Sequence, residues 1–164
     1  MSLWIIFALQ IIVLAYATVG GVFVAFSDFI MRSLALSAQG SVTMQVINRE
    51  VFRWIFMVLF LGLAPVSLAM ALYGLNVVGG QTGTLMAAAG LIYVIGCFGV
   101  TVCFNVPMNN ALAALQPGTG DIESYWSSTY LPRWTYWNSV RAFACVLAAG
   151  VLAAALTLSF RLPV

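Results

Sequence analysis

The sequence contains no histidine and no lysine, and only six arginines and four acids carry charge among its 164 residues. A charged fraction of 6% lies far below the roughly 25% of an ordinary soluble domain. A water-facing surface cannot be built from so little charge, so a soluble globule is excluded. Disorder needs low hydrophobicity and high charge, yet 63% of these residues are hydrophobic. A net charge of +2 is too small for a nucleic-acid footprint, and no nucleic-acid partner is expected. The missing histidine removes the commonest general base, the commonest metal ligand and the axial ligand of many haems.

Cysteine is scarce as well. Cys97, Cys103 and Cys145 are odd in number and form no C-x-x-C pair. They read as small core hydrophobes, and a quinone-coupled thiol enzyme would need close cysteine pairs in the sequence. Zinc asks for four N/S ligands. A soft-metal set of Met31, Met44, Cys103 and Met108 has no regular spacing. No metal and no cofactor are expected.

Long apolar runs are what the sequence has in abundance. A membrane helix needs about 20 mostly apolar residues, and Leu3–Phe26, Trp54–Tyr73, Thr84–Phe104 and Ala142–Phe160 each qualify. No charged residue stands between Arg53 and Asp121, room for two spans and a turn over the glycine-rich Gly74–Gly83. Continuous runs favour helices over a barrel. The expected fold is an all-α integral membrane four-helix bundle, one transmembrane domain over residues 1–164, with a short interfacial helix in each of two long loops. The first run lacks a basic leader and is too long for a signal-peptide core, so it is read as retained. Pro65 should kink the second span or free a carbonyl. Ala144 with Ala148, and Gly150 with Ala154, are read as small residues on one face of the fourth span.

Arg32, Arg49, Arg53, Arg133 and Arg141 fall in the two long loops, and Arg161 alone falls on the opposite side. The positive-inside rule then puts both loops in the cytoplasm and both termini outside. The expected location is a bacterial inner (plasma) membrane, with lipid as the first partner and partner subunits of a membrane complex as further candidates.

Polar residues collect at one end of every span: Ser27 and Asp28; Gln45, Asn48, Arg49 and Glu50; Asn105, Asn109 and Asn110; Asn138 and Arg141. Unsatisfied polar groups are costly in a membrane, so bundling predicts one polar layer suited to a pocket. Pro107 suits the first turn of a helix, with Asn105 as its cap; if the helix instead runs through, Asn105 and Asn109 share a face. Residues 121–141 are predicted to form a helix leading into the fourth span. On it Trp126, Tyr130, Trp134, Trp137 and Arg141 recur every three or four residues. These rings fit either an interfacial aromatic belt or a wall for a flat ligand. Arg141 would suit Asp28, Glu50 or an enolate-like oxygen.

Gly21-Val-Phe-Val-Ala-Phe-Ser27, Met44-Gln-Val-Ile-Asn48, Asn105-Val-Pro-Met-Asn-Asn-Ala-Leu112 and Trp134-Thr-Tyr-Trp-Asn-Ser-Val-Arg141 together resemble the anthrone oxygenase-like family, a domain-of-unknown-function family of small four-span membrane proteins. Ser139 stands where the family pattern often carries His. Named fungal members of that family oxidise anthrones to anthraquinones, so the resemblance implies a cofactor-free oxygenase or oxidoreductase acting on an apolar aromatic, anthrone- or quinone-like small molecule. Such a site needs a flat slot, donors for an enolate oxygen and a weak base. Glu50, Asn109 and Arg141 are the catalytic candidates. Gln45, Asn48, Asn105, Trp134, Trp137 and Asn138 are the substrate-binding candidates. Asp28 and Tyr130 are alternative bases. The competing expectation is a non-enzymatic accessory subunit, or a lipid- or ligand-binding scaffold of a larger membrane complex. A coupled transporter would carry an acid mid-span, and all four acids lie in loops.

Overall fold

The computed structural model describes residues 2–53 and 55–161. Trp54, the expected start of the second span, lies outside them. Five helices account for most of the described residues. α1 (Leu3–Leu36), α3 (Ile55–Val78), α4 (Gly80–Ala113) and α5 (Gly120–Ser159) are long and apolar enough to cross a membrane, and α2 (Gly40–Glu50) lies between the first two. The chain is an all-helical membrane protein with the architecture of a four-helix bundle.

Three of the crossing helices outrun the bilayer. At about 1.5 Å per residue, the 34 residues of α1 and of α4 reach about 51 Å, against a hydrocarbon core of about 30 Å. The excess lies at one end, where α1 finishes, α5 starts and α4 carries its asparagines. The predicted break at Pro107 is absent. Pro107 lies inside α4, in the turn that follows the π turn Thr101–Asn105, and Asn105 has helical backbone angles and caps nothing. The second loop's short helix, Gly120–Tyr125, runs through a π turn at Trp126–Tyr130 directly into the fourth span. Pro65 sits inside Ile55–Tyr73 without ending that helix. The Gly74–Gly83 turn is tighter than the sequence suggested. Helix continues as a π turn to Val78, and the reversal is made at Gly79 and Gly80, with φ of 65° and 56°.

α1 packs along α5, α5 along α4, and α4 along α3, whereas α1 and α3 meet over a shorter stretch. Close approach comes from small residues. A Cβ on Gly96 would lie 2.7 Å from that of Ala144, and one on Gly20 2.9 Å from that of Cys145. Ala144 and Ala148 therefore face the core, but Gly150 has nothing within 4 Å and Ala154 is exposed. The two small pairs do not share a face as expected, because six residues at 100° each turn the helix well away from its starting side. Cys97 and Cys145 are buried with sulfurs 3.2 Å apart, while Cys103 is exposed. The fold thus makes a close thiol pair that sequence spacing did not reveal.

Two apolar clusters result. One fills the bundle around Tyr16, Phe60, Met86 and Tyr93, whose stacked tyrosines have centroids 4.9 Å apart. The other, around Met31, Met44, Leu112, Trp126 and Tyr130, fills the space between α2 and the overhanging helix ends. The candidate site lies at their junction.

Candidate functional site

A cavity of about 400 Å³ opens where α1 and α3 diverge. Phe23 and Phe26 of α1, Phe56 and Phe60 of α3, and Trp134 of α5 supply its aromatic walls, with Met44 and Met57 between them. Its polar atoms are few: Asn48 and Glu50 from α2, Thr101 and Asn109 from α4, and Arg141 from α5. A mostly apolar hollow of this size with a few polar groups is the usual form of a small-molecule site.

Arg141 is the decisive group. It is 5% exposed, yet no described carboxylate pairs with it. Its Nη1 donates to Thr101 Oγ1 at 3.2 Å and its Nη2 to Asn138 Oδ1 at 2.7 Å. Its Nε has no hydrogen-bond partner among the described residues. The guanidinium carbon sits 4.2 Å from the Phe23 ring centroid and 5.3 Å from that of Trp134. Burying a cation is tolerated only with partners, and here the protein supplies two neutral acceptors and two ring faces. Among the described residues no carboxylate cancels this positive charge, which stands at a cavity wall. Asp28, expected as one partner, instead pairs with Arg32 at 3.2 Å on the exposed side of α1.

Asn138 does not touch the cavity. Its Nδ2 donates to the Phe23 carbonyl and to Ser27 Oγ, each at 2.7 Å, which fixes the amide and aims Oδ1 at Arg141. Ser27 belongs to the π turn Phe26–Ile30 of α1. Ser139, the departure from the family pattern, is exposed, with its hydroxyl 2.9 Å from both Ser27 Oγ and the Thr135 carbonyl.

A second network runs along the cavity wall through Asn48, Asn109 and Trp134. Asn109 Oδ1 accepts from Tyr130 OH and from Trp134 Nε1, both at 2.8 Å. Tyr130 OH accepts in turn from Asn48 Nδ2 at 3.2 Å. With its oxygen doubly engaged, Asn109 cannot flip without losing both bonds, and its Nδ2 donates to no described residue. Trp126, Tyr130 and Trp134 form a buried stack, with centroids 5.4 and 5.9 Å apart. They are not a headgroup belt.

Four of the sequence candidates are placed away from the first cavity wall. Gln45 bonds the Leu112 and Leu115 carbonyls at 2.7 and 3.0 Å and lines an adjoining cavity. Asn105 is 1% exposed and donates to the Trp134 carbonyl at 3.3 Å, tying α4 to α5. Asn138 acts behind Arg141. Trp137 stacks on Phe104, with centroids 3.7 Å apart and planes 5° apart, on another side of the helix. At about 100° per residue, Trp137 is turned roughly 60° from Trp134, whereas Arg141 returns to within about 20° of it. Thr101 and the phenylalanines of α1 and α3 escaped the sequence reading. Thr101, four residues before Asn105 in an apolar run, was a signal that the spacing offered; the phenylalanines look like any lipid-facing ring.

Residues 49–151 match the family described as anthrone oxygenase. The chain belongs to the anthrone oxygenase family. The matched stretch includes Glu50, Thr101, Asn109, Trp134 and Arg141, so every polar contributor to the cavity except Asn48 falls within the family region. No curated protein and no solved structure matches the chain.

Proposed function

We propose that this anthrone oxygenase family member is a cofactor-free oxygenase for flat, apolar, anthrone-like aromatics, with the cavity at the cytoplasmic end of the bundle as its site. The observation that carries the reading is a buried Arg141 with no described carboxylate partner, facing a cavity walled by aromatic rings. An anthrone methylene loses a proton to give an enolate whose charge rests largely on oxygen. Arg141 is placed to hold that oxygen, with the unengaged Nδ2 of Asn109 as a second donor. Both are fixed in advance by their own bonds, which is the form of electrostatic stabilisation that costs no reorganisation during reaction. Glu50, on the cavity wall, is the base. Dioxygen adds at the former methylene carbon, the proton returns to give a hydroperoxide, and loss of water leaves the carbonyl. The balance is one methylene plus one O2 to one carbonyl plus one water, with no outside reductant.

The test uses purified protein in detergent with 1,8-dihydroxyanthrone and an oxygen electrode. Oxygen uptake should exceed that of empty micelles by at least about tenfold, a barrier change of about 1.4 kcal/mol. Arg141→Met should abolish the excess; it leaves the buried Asn138 oxygen without its donor at a cost of roughly 1–3 kcal/mol, so retention of the fold is checked by thermal unfolding. Protein that neither binds the anthrone nor accelerates its oxidation would sink the reading.

A further inference from the structure

Beside the first cavity lies a second, of about 360 Å³. The two share Asn48, Phe52, Val106 and Asn109 on their walls. They are adjoining chambers divided by these side chains, and Phe52 at 68% exposure stands at the divide. Their characters differ. Rings and thioethers dominate the first chamber, while the second adds Gln45, Arg49 and Asn110.

Arg49 is the unexplained charge of the second chamber. It is exposed in the last turn of α2 and forms no ion pair among the described residues. Glu50, the next residue, lines the first chamber and not the second. Gln45 is held by the Leu112 carbonyl of α4 and the Leu115 carbonyl just past its end, so this wall is preformed. A polar, cationic chamber opening from an apolar, aromatic one matches a ligand whose two ends differ in the same way.

We infer that the occupant is a two-part molecule: a fused aromatic ring system in the first chamber, joined to a carboxylate-bearing arm that reaches past Phe52 into the second, where Arg49 receives the acid. This rests on the reading of the first chamber as an aromatic site, and it adds the substrate's second half and a residue that selects for it. Arg49 suits a carboxylate because its planar fork binds both oxygens at once.

The test compares two unreactive, nearly isosteric probes, 2-methylanthracene and anthracene-2-carboxylate, by saturable quenching of tryptophan emission in dodecyl maltoside. Wild-type protein should hold the acid about tenfold more tightly, the effect of one charge-assisted pair. Arg49→Gln should erase that preference and leave 2-methylanthracene binding unchanged, which also reports that the variant is folded. Equal affinities in the wild type, or a preference that survives Arg49→Gln, would overturn the inference while leaving the aromatic site standing. Displacement of the acid alone by added phosphatidylglycerol would assign Arg49 to a lipid headgroup and overturn it equally. If 2-methylanthracene itself fails to bind, the aromatic reading falls, and the two-part ligand with it.

Discussion

Asn138 Oδ1 accepts from Arg141 Nη2 at 2.7 Å, one turn apart on α5, and this contact steers the cation without cancelling it. An amide and a carboxylate have nearly the same shape, so the choice of Asn over Asp has a chemical consequence. Asn138→Asp would place a negative charge in contact with the guanidinium and convert an anion-binding wall into a closed ion pair. Binding of the anthrone enolate should weaken by at least about tenfold, whereas neutral 2-methylanthracene should bind as before. Absorbance of the bound enolate, titrated with ligand in both proteins, checks this. Unchanged enolate binding in the variant would show that Arg141 does not hold the charge.

The Asn109 network makes a prediction about stability. Asn109→Leu removes the acceptor shared by Tyr130 OH and Trp134 Nε1 and leaves both donors in a low-dielectric setting. Each orphaned donor costs roughly 1–3 kcal/mol. Tyr130→Phe keeps the indole bond but loses the bond to Asn109 and the acceptor of the half-buried Asn48 Nδ2, so it should cost about 1–2 kcal/mol. Thermal unfolding in detergent should therefore rank Asn109→Leu below Tyr130→Phe. The reverse order would mean that this network is not what fixes the Trp134 wall.

Much of this was legible in the sequence, and the reasons differ by feature. The four spans follow from hydropathy because lipid imposes a length and a composition on any helix that crosses it. The convergence of Asn48, Glu50, Asn109, Trp134 and Arg141 follows from polar groups gathering at one end of each span. Trp137 and Asn138 were harder, since a spacing of three or four residues leaves tens of degrees of ambiguity about which side of a helix a residue faces. Asn105 illustrates a different limit: Asn before Pro suits a cap, but tertiary packing carried α4 straight through. The contact of Cys97 with Cys145 and the phenylalanine walls depend on how helices pack, which apolar runs do not encode one by one.

Helix packing gives a contrast between two glycines of apparently similar sequence setting. Gly96 faces α5 so closely that an added Cβ would come within 2.7 Å of the Ala144 Cβ, while Gly150 has open space around it. Gly96→Val should force α4 and α5 apart and destabilise the protein by about 1–3 kcal/mol, the usual cost of overpacking. Gly150→Leu should be neutral or slightly stabilising, since it relieves a glycine inside a helix and meets no protein neighbour. Melting temperatures of the two variants decide the matter; equal losses would contradict the packing of α4 on α5.

The departure at Ser139 yields the last prediction. Its hydroxyl bonds to Ser27 and to the Thr135 carbonyl on the exposed side of α5, and it contributes no atom to the cavity wall. A histidine there would start from the same outward-facing Cβ, because the α5 backbone is held by Asn138 bonding to α1 on one side and by Arg141 bonding to Thr101 on the other. Asn138 keeps its own bonds to Ser27 and to the Phe23 carbonyl without the Ser139 hydroxyl, so this exposed substitution should stay near the usual value of about 0.5 kcal/mol, close to a twofold effect. Ser139→His should therefore change anthrone-dependent oxygen uptake by no more than about twofold and add no inflection near neutral pH to the pH profile of that uptake. A large gain in rate, with a pH profile following an imidazole, would instead place position 139 in the proton path and require α5 to turn during the reaction cycle.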